Sequence, residues 1–101
     1  MVYLQATLKI HQGKVEKFCQ VMTGVVQILE ERGWKLLAAY QNIIGRQNTI
    51  VDIWEIPDAN SVQDVLGAVS QLPAFRELAG RLDDVVEEEV LQVMTKASYS
   101  H

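Results

Sequence analysis

The stretch from Thr49 to Ile56 constrains this chain more than any other. Its pattern predicts a β-strand, and successive side chains of a strand point to opposite faces, so Val51, Ile53 and Glu55 share one side and Ile50, Asp52 and Trp54 the other. Large apolar groups stand on both. A strand of that kind belongs in the middle of a sheet covered on both faces, which makes a carboxylate at Asp52 conspicuous. The chain must find two covers: two helices are expected to form one and a second copy of the protein the other, with Asp52 and Trp54 at the edge of the space between.

The rest of the pattern supplies those helices. From Val2 to Ile10, Leu4, Ala6, Leu8 and Ile10 alternate with Tyr3, Gln5, Thr7 and Lys9, which predicts strand one. Between Lys14 and Arg32, Val15, Phe18, Cys19, Met22, Val25, Val26 and Leu29 recur at the spacing of one helical face, and Gly33 is placed to stop that helix in a left-handed cap. Strand two, from about Trp34 to Ile43, turns through Gly45-Arg46-Gln47-Asn48 into strand three, a register that sets Gln41 beside Asp52 and Ala39 beside Trp54. Asn60 or Ser61 is suited to cap a second helix from about Val62, and Pro73 splits it. Strand four follows from Val85 to Thr95, with Glu87 to Glu89 guarding a sheet edge. The order βαββαβ predicts an α+β, ferredoxin-like sandwich over residues 1–95: a four-stranded antiparallel sheet with both helices on one face, and 96–101 as a flexible tail. Strands one and three are then central. Leu4, Ala6, Leu8, Val51 and Ile53 are assigned to the helix side, and Tyr3, Gln5, Thr7, Ile50, Asp52 and Trp54 to the open side, an apolar patch that calls for a partner or a ligand.

Composition narrows the function. A 101-residue chain is one domain, small enough to gain from self-association. With a net charge of −4, nine Lys and Arg and no basic cluster, nucleic acid is not an expected partner. No apolar run is long enough for a membrane helix, and a single cysteine at Cys19 with no leader pattern points to a cytoplasmic setting.

Met1-Val2-Tyr3, Thr7, Gly13-Lys14, Ile44-Gly45 with Asn48, Val51, Trp54-Glu55, and Pro73 with Phe75 resemble the NIPSNAP family of the dimeric α/β-barrel superfamily, in an order that covers nearly the whole chain. The resemblance implies a homodimer whose two sheets close into a barrel around a cavity; the superfamily includes cofactor-independent monooxygenases, haem-degrading monooxygenases and isomerases. Where relatives open with Tyr-Glu-Leu-Arg-Thr-Tyr, this chain carries Leu4, Ala6 and Leu8 at the Glu, Arg and second Tyr positions, and Asp52 where His is frequent. The haem-degrading pattern of a strand-one Asn, a strand-three Trp and a helix-two His is met only by Trp54. No haem or other cofactor is expected.

Asp52 is the candidate catalytic residue: in an apolar cavity desolvation would raise its pKa toward the range of a useful base. The structural alternative is a carboxylate bonded to Gln41 or paired across a dimer. Trp54 would stack on an aromatic ligand or fill a dimer core. Tyr3, Gln5, Thr7, Tyr40 and Gln41 complete the expected ligand-binding set. His11 and His101 lie far apart, and with Cys19 expected as a buried thiol no metal-ligand spacing exists. The expected function is the binding of a small apolar or aromatic ligand in the cavity between the two sheets. The alternatives are an enzyme, a monooxygenase or isomerase acting on an aromatic or polyketide-like substrate, and an interaction protein with a filled barrel.

Overall fold

The computed structural model describes residues 1–100, so His101 lies outside the described residues. The elements in order are β1 (Val2–Ile10), α1 (Val15–Glu31), β2 (Lys35–Gln41), β3 (Thr49–Ile56), α2 (Asn60–Val69), α3 (Pro73–Val85) and β4 (Val86–Met94). The strands form one antiparallel sheet in the order β2-β3-β1-β4, with β1 and β3 central and the helices on one face: the ferredoxin-like arrangement.

The helices begin and end where local chemistry requires. α1 buries Phe18, Val21, Val25 and Leu29. Val21, which the expected stripe omitted, faces inward, whereas Cys19 is exposed: the buried arc is rotated so that the thiol falls on the rim. α1 closes with Gly33 at φ +96°; the Gly33 N–H donates to the Glu30 carbonyl and the Trp34 N–H to the Leu29 carbonyl at 3.3 Å. Those two bonds are the Schellman closure, which needs the left-handed residue that glycine supplies without strain. α2 is capped from two residues before Asn60: the Asp58 carboxylate accepts from the Ser61 N–H at 2.9 Å, an Asx-type cap in the place of the expected Asn60 or Ser61. Pro73 stands at the first position of α3, where its missing N–H is harmless. Gly24 brings α1 close to α3, since a Cβ there would come within 3.0 Å of the Leu78 Cδ1.

The pairing of β1 with β3 corrects the assignment of faces. Leu4 stands opposite Trp54, Ala6 opposite Asp52, and Leu8 opposite Ile50. Residues directly opposite share a face, so Ile50, Asp52, Trp54 and Ile56 lie under the helices with the buried side of β1, while Val51, Ile53 and Glu55 lie on the open face with Tyr3, Gln5 and Thr7. The energetic reason is size. Burial of Ile50, Trp54 and Ile56 contributes about 1.5–3 kcal/mol each, more than the smaller and partly charged set opposite can supply, and Asp52 goes in with them. The hairpin register also differs. Gln41 faces Ile50, and Ala39 faces Asp52, because the connection runs over residues 42–48 and not over four residues. A shift of two leaves the faces unchanged. Ile43 and Ile44, read as strand, are 98% and 93% exposed in that connection.

β4 is an edge strand as expected, but its glutamates diverge. Glu87 lies 3.6 Å from the Lys9 Nζ and 3.8 Å from the His11 Nδ1, and Glu88 lies 3.9 Å from Arg46. Glu89, opposite Leu8, turns to the helix side. Among the described residues no helix is long and apolar enough to cross a membrane.

Replacing Gly33 with Ala places a Cβ in a left-handed conformation and should lower the unfolding free energy by about 1–2 kcal/mol. Urea denaturation checks this; an unchanged midpoint would mean that the closure relaxes without loss.

Candidate functional site

Asp52 is flanked by the smallest side chains on the helix side of the sheet, Ala6 on β1 and Ala39 on β2. Alanines leave the volume above the carboxylate unfilled. Expected to let a helix pack close, Ala6 instead forms part of the wall of a chamber of about 210 Å³ between the sheet and the helices. Its lining includes Leu4, Met22, Trp34, Asp52, Trp54, Phe75 and Glu89, with no Lys, Arg or His. Glu89 and Leu91, both exposed on the edge strand β4, line it on that side.

Two polar groups in that chamber lack partners. Asp52 is only 3% exposed, and among the described residues its carboxylate has neither a hydrogen bond nor an ion pair. Burial, and secondarily the charge of Glu89, pushes its pKa up from 3.8 to about 6. The Trp34 Nε1 is likewise buried with no acceptor. Buried polar atoms are nearly always satisfied, so the orphaned Trp34 donor, on the same chamber wall as a carboxylate that has no bond of its own, is a specific arrangement. Trp34 also packs edge-on to Trp54, ring centroids 5.7 Å apart at 62°. The Glu89 carboxyl is itself raised by burial.

The expected site residues are therefore divided. Asp52 and Trp54 meet in the chamber, on the helix side. Tyr3, Gln5, Thr7 and Tyr40 lie on the opposite face of the sheet, and Gln41, though on the helix side, is exposed beside Ile50 and does not reach Asp52 by register. The bond between Asp52 and Gln41 considered as a structural role is absent. Two residues were missed. Glu89 was absorbed into a charge run, although alternation alone puts it on a different face from Glu88. Trp34, expected at the start of strand two, precedes β2, which begins at Lys35. Its signal was its place just after Gly33, where a large apolar residue commonly packs back on the last helical turn, here beside Leu29.

A second space adjoins the first. Between α1 and β2 an open groove of about 390 Å³ is lined by Phe18, Cys19, Met22, Thr23, Val26, Leu36, Ala39, Ile50 and, again, Asp52.

Because the folded state holds the Asp52 proton more tightly than the unfolded state, its contribution to stability is complete below 3.8 and is lost as pH rises through about 6. Solvent screening of the partly accessible carboxylate keeps the loss below about 3 kcal/mol, the figure to which the full shift corresponds. Asp52→Asn should remove that fall from unfolding free energies measured across the interval, and Glu89→Gln should move it to lower pH. Equal falls in the wild type and Asp52→Asn would assign the titration to another group.

The model of the NIPSNAP family matches residues 3–101. No curated protein matches the chain. Among solved structures, a NIPSNAP family protein of unknown function from Agrobacterium tumefaciens is 20% identical with a TM-score of 0.88, the alignment covering 99% of this chain and 91% of that one. An uncharacterised NIPSNAP domain protein from Burkholderia xenovorans is 18% identical with a TM-score of 0.85, covering 100% and 99%. An antibiotic biosynthesis monooxygenase shares the fold at 15% identity and a TM-score of 0.66, covering 96% and 99%. The structural likenesses establish the ferredoxin-like fold, and with a family match that leaves only the first two residues outside it, the chain belongs to the NIPSNAP family.

Proposed function

We propose that this protein binds a small, largely apolar molecule in the chamber between its helices and its sheet. The observation that carries this reading is Asp52, a buried residue whose carboxylate has no hydrogen bond or ion pair among the described residues, on a chamber wall that holds the orphaned Trp34 N–H and no Lys, Arg or His. A ligand must then bring a hydrogen-bond donor for Asp52 and an acceptor for the Trp34 N–H, and must not bring a negative charge. A hydroxyl does both. Trp34, Trp54 and Phe75 suit an aromatic body.

The second reading is an enzyme. A carboxyl with a pKa of about 6 is mostly ionised at neutral pH yet basic enough to accept a proton from a weakly acidic substrate, and the likeness to an antibiotic biosynthesis monooxygenase is an analogy of fold in its favour. Asp52 is the base in that reading. A cytoplasmic setting suits a chain with one exposed thiol.

We also propose that the open face of the sheet pairs with a second copy. Tyr3, Val51, Ile53, Val90 and Met94 share that face, over which no helix lies and which the chain's own end borders at Tyr3, where the Lys96 Nζ stands 5.9 Å from the ring centroid; an apolar patch of this kind suits a homodimer interface.

The probe 4-ethylphenol should quench the emission of Trp34 and Trp54, and Ala6→Leu, which fills the chamber, should weaken binding about tenfold or more by removing the space the ring occupies. Equal binding of 4-ethylbenzoate at neutral pH would refute the charge argument. In light scattering the wild type should show twice the chain mass and Ile53→Glu a monomer. That monomer should still bind 4-ethylphenol, because the chamber lies within one protomer; loss of binding together with the dimer would return the site to the space between the sheets.

A further inference from the structure

Chamber and groove share two residues, Asp52 on the sheet and Met22 on α1. Asp52 belongs to the floor of both, with Ala6 beside it on the chamber side and Ala39 on the groove side. Met22 is partly buried and packs against both clusters of the core, one built on Trp34 and Trp54 and the other on Phe18 and Ile50. A methionine in that position is an unbranched, three-bond side chain that repacks at low cost, unlike the branched residues around it. At about 210 Å³ the chamber alone is smaller than the roughly 300 Å³ at which small-molecule sites usually begin, whereas chamber and groove together fall well inside the usual range.

We propose that Met22 is a movable partition between the two spaces, and that the site takes an elongated apolar molecule whose hydroxyl head meets Asp52 and Trp34 in the chamber and whose chain passes Met22 into the groove between α1 and β2. The inference rests on the chamber being a ligand site and adds the length and direction of the ligand. The head is set by the two orphaned groups, one accepting and one donating. The chain is set by the groove, whose lining is apolar except for Cys19 and Thr23, which line it from the exposed side of α1, and Asp52 itself. No Lys, Arg or His lines either space, so a fatty acid or a phosphate ester is a poor fit and a long-chain phenol or alcohol a good one.

The test compares 4-ethylphenol, which the chamber holds, with 4-octylphenol, whose chain must leave it, by quenching of the two tryptophans. The wild type should prefer the octyl probe by about tenfold or more, the gain from covering even part of the added methylenes. Met22→Phe blocks the passage from the helix side and Ala39→Phe, at an exposed strand position, blocks it from the sheet side; because both residues stand close to the head site, the quantity read is the octyl-to-ethyl affinity ratio, which each should bring to about one whatever happens to the affinity for 4-ethylphenol itself. Met22→Ala should keep the preference or enlarge it. If both blocking variants bind both probes with the wild-type ratio, the partition is refuted and the chamber reading stands. If neither probe quenches the wild type, the chamber reading falls and the proposal with it. A change of oligomeric mass in Ala39→Phe with no change of ratio would make the groove an interface between copies and overturn the proposal.

Discussion

The pairing of β1 with β3 decides what this molecule can do. With Ala6 opposite Asp52 and Leu4 opposite Trp54, every even-numbered residue from 50 to 56 faces the helices. A slip of one residue would invert the arrangement, placing Val51, Ile53 and Glu55 in the core and exposing Trp54. Native pairing is favoured because it buries three large apolar side chains at the cost of one carboxylate. That carboxylate is the part of the core that size and hydrophobicity do not explain, and the two alanines beside it keep its surroundings empty.

Much of the architecture was legible in the sequence. Alternation from Val2 to Ile10, the helical spacing from Val15 to Leu29, Gly33 as a stop and Pro73 as a break each follow from local backbone chemistry, and their order gives the topology without reference to distant contacts. The candidate site was less legible, because it depends on which residues meet across strands. Both faces of β3 look buriable in isolation. Only the continuation to Ile56 tips the count toward the Ile50 and Trp54 side, with Glu55 weighing against the other. The hairpin shows the same difficulty: Gly45 and Asn48 do take left-handed backbone, at φ +119° and +56°, yet the turn they belong to is longer than the tightest one the sequence allows.

The two faces of the sheet divide the expectations about function. The open face retains Tyr3, Gln5 and Thr7 in a surface suited to association, and the helix side holds the groups with unmet hydrogen-bonding capacity. In the proposed function, association and ligand capture would fall on opposite sides of one layer of backbone. Substitutions that alter one need not alter the other, which is a reason a fold of this kind can keep its assembly while its chemistry changes.

The central position of β1 has a kinetic consequence. Tyr3 pairs with Glu55 on one side and with Met94 on the other, so beyond the local β2–β3 hairpin the sheet is completed only by closing two long loops. β4, which carries Glu89 and Leu91 into the chamber lining, has β1 as its single neighbour in the sheet. Fraying of this edge strand would therefore withdraw Glu89 and Leu91 from the chamber wall while the pairing of β2 with β3 stays in place. Hydrogen exchange at β4 amides would report that motion directly, independent of any ligand.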